Sequence, residues 1–208
     1  NRLKTIVLKK MQGLNKNIVL LDVSLTVVGL SKKNFTIKVN SLDKYIMDLM
    51  TSSKSDQWAT PQTVYNNVIK LLGIDPQWDL AADETNTKCL HYIDESQDSL
   101  KTKWPSGKIC WLNPPYGKSL KKFVEKCIEE IESSAPPDQV VWLLPSRTDT
   151  KWFNLLSNHP NCSKVIFLKG RIKFGGKTTD APFPSVIIVM DSKHSGSPEV
   201  LFNIEVRK

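Results

Sequence analysis

The sequence predicts an α/β protein, with a three-layer architecture and a mainly parallel sheet. Beyond residue 56, short apolar runs of strand length alternate with segments whose apolar residues recur at helical spacing. Glycines and prolines punctuate this alternation, as at Gly73 and at the pair Pro136-Pro137. At 208 residues, 40% of them hydrophobic, the chain suits one domain with its own core and a short appendage.

The predicted elements follow one another in a regular order. Thr60 and Pro61 predict the start of a first helix, with Thr60 as its cap, and Gly73 predicts its end. Two further helices are expected over residues 119–134 and 149–158. Strands are expected at 78–82, 91–93, 108–112, 139–144, 165–168, 185–190 and 201–204.

The first 55 residues differ from the rest of the chain. Residues 1–56 hold ten Lys or Arg against four Asp, so they carry +6 of the formal charge of +8. A basic arm indicates a polyanionic partner, because lysines gain affinity by releasing phosphate counterions; the alternative is a solvated tail. We therefore divide the chain into a basic N-terminal segment of uncertain role, 1–55, and a main domain, 56–208. Within the segment we expect strands at 18–23 and 35–39, a helix at 42–50 and a linker at 51–55.

Several classes of protein are not expected. No apolar run approaches the roughly 18 residues that span a bilayer, and no secretory leader is evident. The cysteines form no Cys-x-x-Cys pair, and Cys110 and Cys127 fall on apolar positions, as reduced core residues of an intracellular protein do. The histidines are scattered without metal-ligand spacing, so no metal site is expected. We expect the protein inside a cell, in the cytoplasm of a bacterial host or in a eukaryotic nucleus.

The most informative segment is Asn113-Pro114-Pro115-Tyr116-Gly117, which follows the apolar run 109–112. Two consecutive prolines cannot continue a central strand, because neither donates to the ladder. The chain therefore leaves the sheet in a stiff turn that holds an amide, a rigid carbonyl and an aromatic ring together. In a parallel sheet this turn falls at the carboxyl ends of the strands, where ligands bind.

These residue types suit the capture of a planar group that bears an NH2. The amino nitrogen of adenine is a poor nucleophile, because its lone pair is delocalised into the ring. The Asn113 oxygen and the Pro114 carbonyl can each accept one amino hydrogen, which favours a pyramidal nitrogen, while Tyr116 stacks on the base. Catalysis then rests on positioning rather than on a strong base. The alternative is a plain strand-ending turn with a packed tyrosine.

If the captured amino nitrogen attacks an electrophilic methyl group, the protein also needs a methyl donor. We expect this donor beside the first strand of the main domain. The sequence there is Asp79-Leu80-Ala81-Ala82, without a glycine-rich loop. Ala81 and Ala82 are small enough to admit a ligand close to the backbone, and Asp79 could meet the donor's ammonium directly or through water. The alternative is an ordinary turn at the end of a strand.

Two further segments are candidates for the donor site. Asp98 suits a carboxylate that accepts from the adenine amino group of the donor, with a helix cap as the alternative. The segment Gln57-Trp58-Ala59-Thr60-Pro61 places a large apolar residue at a polar helix entry, where Thr60 and backbone N–H groups could bind the donor's carboxylate. The alternative there is an ordinary cap with Trp58 packed over it.

Taken in order along the chain, these motifs resemble those of the phage-type DNA N6-adenine methyltransferase family. The resemblance covers about residues 56–191 and includes 143–153, 170–174 and 181–185. It implies a Rossmann-like methyltransferase fold for 56–208, S-adenosylmethionine as cofactor and a flipped adenine in DNA as substrate. It assigns catalysis to Asn113, Pro114, Pro115 and Tyr116, and cofactor binding to Gln57, Trp58, Thr60, Pro61, Asp79, Ala81, Ala82 and Asp98.

No separate recognition domain is inserted between Gly117 and Val140, where the pattern allows one helix only. Contacts to DNA must then come from the basic N-terminal segment, from the loop around Arg147 and from the hairpin at 170–185, or else the specificity for DNA sequence is low. Arg147 and Lys173 could bind phosphate, which positions DNA without reading it, or be ordinary surface charges.

Other functions remain open on the residues alone. The same chemistry could act on RNA adenine or on cytosine N4. Methylation of a protein glutamine amide is disfavoured, because the glutamine methyltransferases with this motif carry a glycine-rich loop that is missing here. A catalytically inactive nucleic-acid-binding module is the alternative from a different class, and the intact motif at 113–116 speaks against it.

Overall fold

The computed structural model describes residues 58–207. The expectations for the basic N-terminal segment, and for Gln57, lie outside these residues. The helices are α1 (Gln62–Leu72), α2 (Leu120–Ile131) and α3 (Lys151–Ser157); the strands are β1 (Trp78–Asp79), β2 (His91–Tyr92), β3 (Ile109–Leu112), β4 (Gln139–Pro145), β5 (Cys162–Leu168), β6 (Ser185–Asp191) and β7 (Glu199–Ile204); a 3-10 turn spans Phe174–Gly176.

Within the described residues, the strands form one sheet in the order β2-β1-β3-β4-β6-β5-β7. Four of the six neighbouring pairs are parallel, while β6 runs antiparallel to both β4 and β5. The connection 169–184 joins β5 to β6 as antiparallel neighbours, in agreement with the hairpin expected there. The predicted α/β class is therefore confirmed, and the sheet is mixed rather than purely parallel.

The direction of strand order reverses between β1 and β3. From β1 the chain passes to β2 on one side, then crosses back to β3 on the other side and continues to β4. Connections that leave two neighbouring strands in opposite directions open a crevice outside the carboxyl ends of those strands, and ligands of open α/β sheets bind there. The topology alone thus locates a candidate site next to Asp79 and Asn113.

Helix α1 ends as predicted but does not begin as predicted. Gly73 takes the left-handed conformation (φ 65°) that closes a helix, which glycine adopts at little cost. At the other end the N-cap is Pro61, with no side-chain cap. The expectation that Thr60 caps the helix is wrong, because its hydroxyl instead accepts a hydrogen bond from Asn113. A tertiary partner has displaced the local one.

Strands β1 and β2 are shorter than the runs 78–82 and 91–93 suggested. The cause lies at Asp79, whose carboxylate accepts from the amides of Ala81 (3.4 Å) and Lys88 (3.0 Å) and so turns the chain out of the sheet. Ladder-like backbone bonds continue a little beyond these strands, and the last of them runs from the Ala82 amide to the Ile93 carbonyl at 3.2 Å. Because β1 ends early, the crevice at its carboxyl end is not filled by further strand pairing.

The core is built around three tryptophans, Trp104, Trp111 and Trp142, each no more than 1% exposed. The Trp104 indole donates to the carbonyl and hydroxyl of Ser99, which satisfies its one polar atom. Cys110 and Cys127 are buried free thiols, as predicted for core positions. Within residues 58–207 no helix combines the length and apolarity of a membrane span.

Candidate active site

A cavity of about 680 Å³ opens at the carboxyl ends of β1, β2 and β3, the position expected from the reversal of strand order. This volume lies within the usual range for small-molecule sites. The cavity is lined by Trp58, Ala59, Thr60, Asp79, Ala81, Ala82, Asp83, Asn86, Lys88, Ile93, Asp94, Glu95, Asp98, Ser99, Leu100, Trp111, Asn113, Pro115, Ser119, Phe123, Gly175 and Lys177.

The structure brings the two predicted sets of site residues to one place. Pro61 is an exception among the donor-binding residues, since it lines a second, smaller cavity. Pro114 and Tyr116 are buried and do not line the main cavity. The predicted residues that do line it are Trp58, Thr60, Asp79, Ala81, Ala82, Asp98, Asn113 and Pro115.

The side-chain amide of Asn113 is held from both ends. Its nitrogen donates to the Trp58 carbonyl at 2.5 Å and to the Thr60 hydroxyl at 3.0 Å, so both amide hydrogens are used. Its oxygen accepts from the Tyr116 hydroxyl at 2.6 Å. A carbonyl oxygen can only accept, so the nitrogen must face Trp58 and the oxygen must face Tyr116. One lone pair of that oxygen remains to accept another hydrogen bond.

Tyr116 is enclosed rather than free to stack on a ligand. Its side chain is 8% exposed, and the rings of Phe174 and Phe183 meet it at 85° and 76°. Its hydroxyl lies 3.0 Å from the Leu143 carbonyl oxygen in β4, in addition to its contact with the Asn113 side-chain oxygen. Burial raises the pKa of Tyr116 well above its usual range, so the hydroxyl keeps its proton and acts as a donor.

Asp79 is a buried carboxyl at the floor of the cavity, 3% exposed. Burial raises its pKa from 3.8 to about 6, and the amide bonds from Lys88 and Ala81 counteract part of that rise. The same carboxylate orders the loop 80–88, which supplies much of the cavity wall. Asp79 is therefore placed both to shape the cavity and to meet a cation within it.

Asp98 lines the same cavity in a strained backbone conformation, with φ at 52°. Its carboxylate accepts from the Leu100 amide at 3.2 Å and pairs with Lys101 at 2.8 Å. The hydrogen bond from Lys101 holds the pKa of Asp98 below its usual range, so it remains an acceptor at neutral pH. Within the described residues no helix lies between β2 and β3, so Asp98 is not the helix cap of the alternative interpretation; its bond to Leu100 closes a local turn, and the residue also lines the cavity.

Asp94 and Glu95 line the cavity but were not predicted from the sequence. They follow β2, whose carboxyl end lies beside that of β1. Acidic residues directly after a strand of a parallel sheet were the available signal. Within the described part of the chain, no group of three or more His, Cys, Asp or Glu side chains is arranged to hold a metal ion.

Three aromatic rings, which we call the aromatic wall, pack together near Asn113; the sequence did not predict this cluster, and Trp58 is its one member that lines the main cavity. The ring of Trp58 lies edge-on to Phe174 (5.5 Å between centroids) and to Phe183 (5.1 Å). The Lys177 ammonium lies 4.6 Å from the centre of the Trp58 ring, a cation–π contact. The Gly175 amide donates to the Ala59 carbonyl at 2.8 Å, which ties the connection 169–184 to the entry of α1.

The two predicted phosphate-binding residues are exposed but lie in different places. Arg147 follows β4, and its backbone carbonyl accepts from the Thr150 hydroxyl at 2.7 Å; it lines neither cavity. Lys173 lines the second cavity together with other cations. Their roles in binding nucleic acid stay predictions.

Comparisons with known proteins give the chain a family. A family model described as DNA N-6-adenine-methyltransferase (Dam) matches residues 48–203. A DNA N-6-adenine-methyltransferase of Haemophilus phage HP1 is 31% identical over 147 residues, covering 68% of this chain and 82% of that protein. A protein of the same name from Escherichia phage T1 is 34% identical over 116 residues, covering 55% of this chain and 45% of that protein.

A solved structure described as a modification subunit of a type I restriction enzyme, from Vibrio vulnificus YJ016, superposes with a TM-score of 0.44 at 12% identity. It covers 77% of this chain and 49% of that one, and so slight a likeness supports no argument about the site. The family match, by contrast, spans most of the sequence, and it agrees with the amide, proline and tyrosine motif that follows β3. The chain belongs to the DNA N-6-adenine-methyltransferase (Dam) family.

Proposed function

We propose that this chain transfers a methyl group from S-adenosylmethionine to the N6 amino group of a flipped adenine in DNA, on a three-layer, Rossmann-like methyltransferase fold. The family is one of DNA adenine methyltransferases, so DNA adenine methylation is its activity. The observation that carries the finer proposal is the fixed amide of Asn113, a residue that lines the cavity at the reversal of strand order. The reaction takes place where cellular DNA lies.

The main cavity fits the proposed donor chemically. Its carboxylates suit a cationic amino acid and ribose hydroxyls, while Ala81, Ala82 and Leu100 offer small or apolar contacts for a nucleoside. We assign the donor's ammonium to Asp79 and its adenine amino group to Asp98. Trp58 and Thr60 are assigned to the same ligand as parts of the wall. S-adenosylmethionine supplies an electrophilic methyl group when bound.

Asn113 is assigned the role of acceptor for one amino hydrogen of the target adenine. Trp58 and Thr60 consume both hydrogens of its amide nitrogen, so the oxygen cannot rotate away from the position it holds. The Pro114 carbonyl is assigned the second amino hydrogen, although Pro114 does not line the cavity in the present arrangement. An acceptor that is already oriented, as the Asn113 oxygen is, costs no reorganisation during the reaction and typically contributes about 3 kcal/mol.

Tyr116 is assigned two roles: its hydroxyl orients Asn113, and its ring stacks on the target adenine. The present arrangement allows only the first of them. Its hydroxyl already donates to the Asn113 oxygen, which orients the acceptor. Its ring is buried and packs against Phe174 and Phe183, so an adenine can stack on Tyr116 only after neighbouring side chains move. We therefore expect the connection 169–184 to change conformation when a flipped base enters.

The experiment incubates the full chain with isotopically labelled S-adenosylmethionine and with duplex DNA, single-stranded DNA or RNA, and identifies methylated nucleosides by mass spectrometry. The expected product is N6-methyldeoxyadenosine from DNA. Asn113→Ala should lower its yield about a hundredfold, whereas the matched control Asn66→Ala should not, because Asn66 is exposed on α1 and its side chain accepts a hydrogen bond from Gln62, away from the cavity. Label in N4-methylcytosine, in RNA alone or in no nucleoside would contradict the proposal.

A further inference from the structure

The second cavity, of about 260 Å³, shares no lining residue with the candidate active site. It lies between the first turn of α1 and the connection 169–184. Three of its lining side chains are cationic and one is anionic. The lining residues are Pro61, Thr63, Val64, Arg171, Lys173, Asp180 and Arg207.

Two of the cations share one side of an extended segment. Arg171 and Lys173 are exposed, whereas the alternating residues Ile172 and Phe174 are each 1% exposed and belong to the core. In an extended chain, residues two apart point to the same side. Burial of the two apolar side chains therefore directs both cations to the cavity side.

The third cation, Arg207, is fixed by several contacts. Its guanidinium bonds to both carboxylate oxygens of Glu205 and donates to the Arg171 carbonyl at 3.4 Å. It also lies directly on the backbone of Gly170, where a Cβ would stand 2.6 Å from the guanidinium carbon. Arg171 itself donates one bond, to the Ala181 carbonyl at 3.2 Å. These contacts hold both guanidinium groups without consuming all their donors.

The charges around the cavity favour an anion. Asp180 and Glu205 offset two of the three cations, and Glu205 is occupied with Arg207. No ion pair is formed by Lys173 within residues 58–207, so its ammonium is available. The first turn of α1 adds no acidic residue and no side-chain cap, and its dipole therefore reinforces the positive field.

We propose that the cluster formed by Arg171, Lys173 and Arg207 binds a backbone phosphate of DNA next to the target adenine. The cluster is tied to the active site on both sides. Pro61 directly follows Thr60, which bonds to Asn113, and Lys173 directly precedes Phe174, whose ring contacts Trp58. Planar guanidinium groups match phosphate oxygens, and such contacts fix the register of the strand without reading its sequence.

This contact rests on DNA as the substrate, and it is tested with the double variant Arg171→Gln/Lys173→Gln. This pair leaves the Arg207–Glu205 bond intact. The affinity for a duplex oligonucleotide is measured by fluorescence anisotropy across a salt series. The slope of log K against log salt falls by about 0.9 for each phosphate that is no longer neutralised, so loss of this single contact in the double variant should lower the slope by about 0.9. Methylation should show a raised KM for DNA with kcat nearly unchanged at saturation.

Two comparisons make the result specific. Lys70→Gln/Lys108→Gln removes the same charge at the last turn of α1 and at the amino end of β3, away from the cavity, and should keep the wild-type slope. Arg171→Lys/Lys173→Arg keeps both charges and should restore most of the slope, which excludes misfolding as the cause. The cluster is not a phosphate site if the wild-type protein binds and methylates DNA but Arg171→Gln/Lys173→Gln keeps the wild-type salt slope. The same conclusion holds if this variant loses no more slope than Lys70→Gln/Lys108→Gln does. If wild type neither binds nor methylates DNA, the proposed function fails as well.

Discussion

Replacing Asp79 with Asn is expected to remove a pH dependence that this carboxyl imposes on donor binding. Asp79 lies at the floor of the main cavity, and burial raises its pKa from 3.8 to about 6. The protonated form carries no charge and cannot attract the donor's ammonium. The other acidic groups with shifted pKa values along the wall do not confuse the result, because local hydrogen bonds lower the pKa values of Asp83, Asp94 and Asp98.

The size of the effect follows from the fraction of Asp79 that is ionised. With a pKa near 6, about nine-tenths is ionised at pH 7 and about one-tenth at pH 5, so donor affinity should fall about tenfold between these values. The donor's own α-ammonium and α-carboxyl groups titrate outside this range.

Stability of the unliganded protein should change in the opposite direction. The folded state holds the proton of Asp79 more tightly than the unfolded state, so ionisation costs about 3 kcal/mol of folding free energy at pH 7. About 1 kcal/mol of this cost is relieved as the pH falls from 7 to 5.

Calorimetric titration of S-adenosylmethionine at pH 7, 6 and 5, with denaturant unfolding at the same values, measures both quantities. Asp79→Asn should bind the donor weakly with no pH dependence over this range, and its unfolding free energy should lose the wild-type difference attributed to this group. Asn keeps one of the two acceptors used by the Ala81 and Lys88 amides, so the loop 80–88 remains partly held. A wild-type affinity that is flat from pH 7 to pH 5, or a variant that keeps the wild-type profile, would refute the assignment of Asp79.

Three further outcomes are expected. Asn113→Ala should lower kcat about a hundredfold, because one preorganised acceptor is lost, while donor affinity measured by calorimetry stays close to normal; activity within threefold of wild type would remove Asn113 from the mechanism. Thr60→Val should lower kcat while Thr60→Ser restores it, since only the hydroxyl that accepts from Asn113 differs in function; equal kcat values in steady-state assays would contradict this. Deleting residues 1–50 should weaken DNA binding and flatten its salt dependence, because that segment holds most of the net charge, with donor affinity unchanged; identical salt slopes would mean that it does not touch phosphate.

The parts of the site that were predictable from the sequence depend on local chemistry. The buried run 109–112 and the two prolines that follow Asn113 determine a strand and its end within a few residues. Asn113 could therefore be placed at the carboxyl end of this strand. Gly73 likewise ends α1 through its own backbone freedom. Helical spacing predicted the buried face of α2, of which Val124 and Cys127 are fully buried.

The parts that were missed depend on contacts between distant segments. Thr60 has the residue type and position of a helix cap, and only the tertiary fold brings it to Asn113, 53 positions away. The contacts of Phe174 and Phe183 in the aromatic wall were missed for the same reason, because nothing in the local sequence distinguishes these rings from ordinary core residues. Asp94 was missed because its role follows from β2 lying next to β1, which is a property of the topology.

The contacts of Asn113 also explain why this chain has an amide rather than a carboxylate at the head of its motif. A carboxylate would direct a second oxygen at the Trp58 carbonyl, where the amide nitrogen now donates at 2.5 Å, and two acceptors would face each other without a proton. It would also lose the bond to Thr60 unless that hydroxyl turned from acceptor to donor. The backbone at the entry of α1 thus selects the amide.

Because the Gly175 amide binds the same entry segment at Ala59, the wall that must move to admit a base is attached to the residues that hold the acceptor. We therefore expect base entry and the orientation of Asn113 to be coupled, so substitution of Phe174 or Phe183 should alter kcat without any contact to the donor.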